Sequence, residues 1–141
     1  MKGLKTKVEH ISVFFAGGVL YSMIEILWRG FTHWSMTAVG GLCFLLLYKI
    51  NRRMGNRSLS VRCLVGAGVI TAVEFAAGVV VNLILRLDVW DYSNMKFNIL
   101  GQVCLPFSCM WFALCIPAYL LSSLIHRFFE AIDLDEGRES Y

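Results

Sequence analysis

Glu74 is a carboxylate set inside an apolar run, Cys63–Leu85, about halfway along it and ~18 Å of helical rise from Arg62. In hydrocarbon an ionised carboxylate costs several kcal/mol unless it is paired, hydrated or protonated, so such a residue turns toward a bundle interior and marks ion or proton handling. Thr71, Glu74, Gly78, Asn82 and Arg86 follow one another at spacings of 3, 4, 4 and 4, which predicts one polar helix face running outward from mid-helix. A second stripe, Gly18, Ser22, Glu25 and Arg29, has spacings of 4, 3 and 4. Its Glu25 and Arg29 form an i, i+4 pair in the favourable acid-before-base order. Gln102 and Asn98 are expected to enter from the fourth helix, and His33, Asp88, Asp91, Trp90 and Tyr92 from the connections. Carboxylates with amides and a guanidinium suit binding of a cation or polar solute, or a proton relay through Glu74. The expected binding set is Glu25, Arg29, Glu74, Asn82, Arg86, Asp91 and Gln102, with His33, Trp90, Tyr92 and Asn98 secondary.

Other chemistries find less support. Neither His-x2–4-His nor Cys-x2-Cys spacing occurs, so no metal is expected. Without a Gly-x-Ser-x-Gly elbow or a Walker loop, neither a catalytic residue nor a cofactor is assigned. His10 and His126 read as interfacial polar residues. Cys43, Cys63, Cys104, Cys109 and Cys115 read as small apolar packing residues. The spacing Asp133-x-Asp135-x-Gly137 falls short of a calcium loop, and Asn56-Arg57-Ser58 is a glycosylation sequon on the inner side, where it is inert.

The elements that must carry these residues follow from composition. Of 141 residues 57% are hydrophobic and 16% charged, with a mean hydropathy of +0.64. Soluble domains hold about 45–50% apolar and about 25% charged residues. Four runs approach the roughly 20 residues needed to cross a bilayer: 11–28, 34–50, 63–85 and 99–125. Backbone groups in lipid must be satisfied internally, so the runs are helices. The fold class is all-α, a polytopic four-helix membrane bundle in one domain, with an acidic tail over 126–141. The second run is expected to gain a turn from Phe31–His33, and Pro106 and Pro117 are expected to bend the fourth. Trp28-Arg29-Gly30 offers no small-residue cleavage site, so the first helix stays attached.

Ten of the thirteen Lys and Arg residues flank one side: Lys2, Lys5, Lys7, Lys49, Arg52, Arg53, Arg57, Arg62, Arg127 and Arg138. Only Arg29, Arg86 and Lys96 lie on the other. This bias puts both termini and the basic middle loop in the cytoplasm of a plasma-membrane protein. Aromatics on the outer side, Trp28, Phe31, Trp34 and Phe97, suit an interfacial belt, and Trp90 with Tyr92 suits a belt or a lid. An internal repeat relates Gly17, Ser22 and Glu25 to Gly66, Thr71 and Glu74 at an offset of 49, and Gly40 and Cys43 to Gly101 and Cys104 at 61. Two parallel hairpins would produce it.

Tyr21-Ser22-x2-Glu25-x2-Trp28-Arg29-Gly30, Gly40-Gly41-Leu42-Cys43-Phe44, Glu74 with Asn82, Val89-Trp90-Asp91-Tyr92-Ser93, and Phe97-Asn98-x2-Gly101-Gln102-x-Cys104-Leu105-Pro106 together resemble the bacterial CmpB-like ABC-transporter permeases over about residues 11–120. The resemblance implies a small membrane component of transport, with the polar stripe and outer loops among its shared residues. Three functions stay open. The first is a transporter, channel or permease-like protein with an outward-facing polar cavity for a small polar or cationic solute. The second is a structural or regulatory subunit that binds another membrane protein, and the third a membrane enzyme using Glu74 or Glu25. Expected partners are membrane lipid, further copies of the chain and a membrane protein, and no nucleic acid.

Overall fold

In the computed structural model, residues 2–138 are described, with the side chains of residues 3–133. The acidic positions Asp135 and Glu136, with Gly137, lie outside the described side chains, and Glu139 outside the described residues. The described chain is helical: α1 (Lys2–Arg29), α2 (Trp34–Arg53), α3 (Leu59–Gly78), a π-helical segment (Val79–Ile84) continuing α3, and α4 (Leu105–Arg138). Three stretches, Gly3–Arg29, Leu59–Ile84 and Leu105–Asp133, are long and apolar enough to cross a membrane.

The helix limits differ from the apolar runs for local reasons. Nothing in the Lys-rich start breaks α1, which ends where Gly30 takes φ +81 and its N–H reaches the Ile26 carbonyl at 2.8 Å. The expected extra turn before α2 does not form. His33 is its N-cap instead, extended at φ −120 and ψ 146, its Nδ1 accepting from the Ser35 N–H. Ser58 caps α3 through the Val61 N–H. The fourth helix begins at Leu105 and not at Ile99, because Phe97, Leu100 and Gly101 all take positive φ and fold the chain back on itself. Asn98 and Gln102 therefore belong to a structured loop and not to a helix. Pro106 falls in the first turn of α4, where no N–H is needed, so it starts the helix without bending it; Pro117 lies inside.

α1 pairs with α2 and α3 with α4, and both α2 and α4 touch all three other helices. α2 is not among the membrane-length apolar helices. Ser35, Thr37, Gly40, Gly41 and Asn51 dilute it, and a helix shielded by neighbours needs less apolar surface than one facing lipid. Close approach comes from glycine, as in other membrane bundles. A Cβ on Gly40 would meet Tyr21 at 2.5 Å, one on Gly41 the Phe14 carbonyl at 2.7 Å, and one on Gly66 the Tyr119 hydroxyl at 2.5 Å. The repeat positions Ser22 and Thr71 each reach a hydroxyl on a neighbouring helix, with partners 71 and not 61 residues apart in sequence. Ser22 meets Thr37 at 2.6 Å across α1 and α2, and Thr71 meets Ser108 at 2.9 Å across α3 and α4. The second half of the repeat fails, since Gly40 and Cys43 are helical whereas Gly101 and Cys104 lie in the loop.

At the end bearing the termini the interior is polar. Glu9 of α1 accepts from Tyr48 of α2 and pairs with His126 of α4 at 2.9 Å, and His126 reaches Glu130 at 3.0 Å. Lys5 pairs with Asp133 at 2.6 Å. Asn51 donates to Ser122 at 3.2 Å and Ser123 at 3.0 Å and accepts from Arg62. His126 is thus a linker between helices and not a lone interfacial residue.

Candidate functional site

α1 and α4 are clasped at the termini end by Glu9, His126, Lys5 and Asp133. Further along, a side-open cavity of about 240 Å3 separates them, with α2 as its floor and Glu74 of α3 at its depth. A neighbouring cavity of about 350 Å3 continues toward the loop end. The two share Tyr21, Ile24, Trp111 and Leu114, so they form one crevice. Glu74 lines the first part; Glu25, Arg29 and Tyr92 line the second.

The two carboxylates differ in what neutralises them. Glu25, 8% exposed, has an internal counter-ion: its Oε1 lies 2.9 Å from Arg29 Nη2, while its Oε2 accepts from the Thr32 hydroxyl at 2.9 Å. Arg29 also donates to the Val89 carbonyl at 3.1 Å and lies 4.7 Å from the Phe31 ring centre. Glu74, 4% exposed, accepts from the Tyr92 hydroxyl at 3.2 Å on Oε1 and from Trp111 Nε1 at 3.0 Å on Oε2. Both donors are neutral. Among the described residues no Lys, Arg or His is paired with Glu74.

The other expected site residues do not join this crevice. Asn82 donates to Gln102 Oε1 at 2.9 Å and accepts from the Val89 N–H at 2.8 Å. Gln102 donates to the Leu100 carbonyl at 2.8 Å, and its own carbonyl accepts from Trp90 Nε1 at 3.0 Å. All three are buried and pin the loop to α3, beside Gly78, where a Cβ would meet Gln102 at 2.6 Å. Asn98 donates to the Ser93 and Met95 carbonyls at 3.1 and 2.9 Å and holds the Gly101 N–H. Asp91 is exposed and accepts from Ser93, whose hydroxyl and N–H hold its carboxyl below the usual range. His33 is a helix cap.

The polar face of α3 thus holds from Thr71 to Asn82 and fails at Arg86. The π segment shifts the phase, the helix ends, and Arg86 is exposed with φ 54. The expected polar cavity is instead an apolar crevice with one unmatched acid. Of the expected set, Glu25, Arg29, Glu74 and Tyr92 come together. Sequence reasoning missed Trp111 and Tyr21; both lie within apolar runs, and only the phase of α4 against α3 reveals the Trp111 contact. Tyr21 and Trp111 stand 6.0 Å apart, and Tyr92 stacks on Phe107 at 4.6 Å. The belt expectation fits Trp28, Phe31, Trp34 and Phe97, which are exposed, whereas Trp90 is buried.

A bundle with apolar residues outward, glycine seams and interhelical polar pairs defines the class: a multi-pass helical membrane protein. The chain belongs to the family described as "Putative ABC-transporter type IV" (ABC_trans_CmpB), whose model matches residues 13–136. No curated protein and no solved structure matches it.

Proposed function

We propose that the chain is a small transporter-like component that binds a cationic solute at Glu74, in the crevice between α1 and α4. The carrying observation is the contrast between the two buried acids: Arg29 satisfies Glu25, whereas Glu74 has only the neutral donors Tyr92 and Trp111. A carboxylate kept from water is stabilised by an opposite charge, and a bound cation supplies one. Membership of a transporter-type family supports the reading. So does the placement of the crevice, which is lined by Glu74 at depth and bounded at one end by the α1–α4 clasp.

All four helices cross the plasma membrane in this reading, with both termini in the cytoplasm as the Lys and Arg bias directs. The protein acts as a homo-oligomer, because one bundle of this size has too few walls to enclose a passage. Thermal melting of purified protein against a panel of inorganic, small organic and bulky organic cations tests it. At least one cation raises the melting temperature of wild type and fails to do so in Glu74→Gln. A second reading, a subunit that binds another membrane protein, draws on Asn82, Gln102 and Trp90, which are used up on internal pairs.

A further inference from the structure

Resting on the reading of Glu74 as a cation site, we infer that the crevice takes a bulky organic monocation, an ammonium or phosphonium with apolar substituents, which enters sideways from the bilayer between α1 and α4. Charge sets the valence. Glu25 and Arg29 cancel, so Glu74 is the one acid of the crevice without a counter-ion, and a single positive charge is what takes the place of its proton.

The wall sets the kind of cation. Besides Glu74, the first cavity is lined by Leu20, Ile24, Phe44, Leu114 and Leu121, with Trp111 bonded to the carboxylate and Tyr21 against Trp111. A small divalent ion exchanges its water for several oxygens, typically six to eight for calcium, and this wall offers one carboxylate. A large cation with diffuse charge holds its water weakly. It gains from burying its substituents and from the aromatic faces of Tyr21 and Trp111. The joined cavities, about 240 and about 350 Å3, match pockets for molecules of this size.

The route follows from where the crevice is open. Toward the termini end, Glu9 and His126 hold α1 to α4. Beyond that clasp the lining is exposed along α1, at Leu20 and Ile24 of the first cavity, 41% and 48% exposed, and at Leu27 and Trp28 of the second, 85% and 78% exposed, all of them apolar side chains of the kind that face lipid.

Equilibrium dialysis of tetraphenylphosphonium against the purified full-length protein in detergent tests the inference, with choline, potassium and magnesium as comparison cations. Expected are saturable binding of tetraphenylphosphonium to wild type, at least tenfold weaker binding in Glu74→Gln, and unchanged binding in Arg86→Gln. Ile24→Trp narrows the mouth at a half-exposed position and weakens tetraphenylphosphonium binding even if Glu74→Gln fails to fold. If choline or an inorganic ion binds through Glu74 and tetraphenylphosphonium does not, the inference falls while the Glu74 reading stands. If no cation binds, both fall. Binding of tetraphenylphosphonium that is equal in wild type and both crevice variants reports partition onto apolar surface and overturns the inference.

Discussion

Trp111 donates its indole N–H to Glu74 at 3.0 Å, joining α4 to a carboxylate of α3 that is 4% exposed. The bond orients the acid toward the crevice without neutralising it. Trp111→Phe removes this donor and leaves one carboxylate oxygen unsatisfied, a loss of about 1–3 kcal/mol. A fall in melting temperature larger than that of Glu74→Gln is expected, since the Gln side-chain oxygen still accepts one bond. Equal falls would mean that the indole acts through packing alone.

The Glu25–Arg29 pair predicts non-additivity. Arg29→Met strands Glu25 beside the crevice and destabilises by about 1–3 kcal/mol, whereas Glu25→Gln with Arg29→Met removes both charges and recovers most of that loss. Chemical or thermal unfolding of wild type, Glu25→Gln, Arg29→Met and the double variant measures the coupling. Strict additivity would show that the pair contributes nothing.

The loop between α3 and α4 hangs on Asn82. Asn82→Ala breaks its bonds to Gln102 and to the Val89 N–H. Limited proteolysis over residues 86–103 should accelerate, with melting lowered by about 1–3 kcal/mol equivalent. Unchanged cleavage would show that Trp90 and Gln102 hold the loop without it.

Glycine at position 40 is a packing requirement. A Cβ there meets the Tyr21 Cβ at 2.5 Å, so Gly40→Ala forces α1 and α2 apart, at a cost of about 1–3 kcal/mol. Gly68, with nothing within 4 Å, is the control, and Gly68→Ala leaves melting unchanged or raised.

The exposed Asp91 gives a pH prediction. Hydrogen bonds from Ser93 lower its folded pKa, so its contribution is complete above the unfolded value near 3.8 and is lost as pH falls through the lower folded value. The melting difference between wild type and Asp91→Asn is therefore constant from pH 5 to pH 8. A difference that grows across that range would place another titrating group at the loop.

Much of the helix order and the two carboxylate stripes could be read from the sequence, because apolar length, helical spacing and charge placement are one-dimensional signals. Glu25–Arg29 formed as its i, i+4 spacing implies. The start of α4 was hidden, since Ile99 to Val103 is apolar enough for a helix and only the positive φ at Leu100 and Gly101 turns it. Arg86 was misplaced because a π segment changes the residue count per turn. The Glu9–Tyr48–His126 cluster joins residues 39 and 78 apart in sequence, so no local pattern announces it.

The claim that Glu74 lacks an internal counter-ion while Glu25 has one is tested most directly by carboxyl modification. Dicyclohexylcarbodiimide, an apolar reagent, adds to the protonated form of carboxyls in apolar surroundings, a form that an acid held in an ion pair does not take up. Peptide mass spectrometry of the treated protein should find the adduct on Glu74, little on Glu25, and slower modification of Glu74 when tetraphenylphosphonium is present. Equal modification of both residues, or adducts on Glu25 with Glu74 spared, would contradict the account.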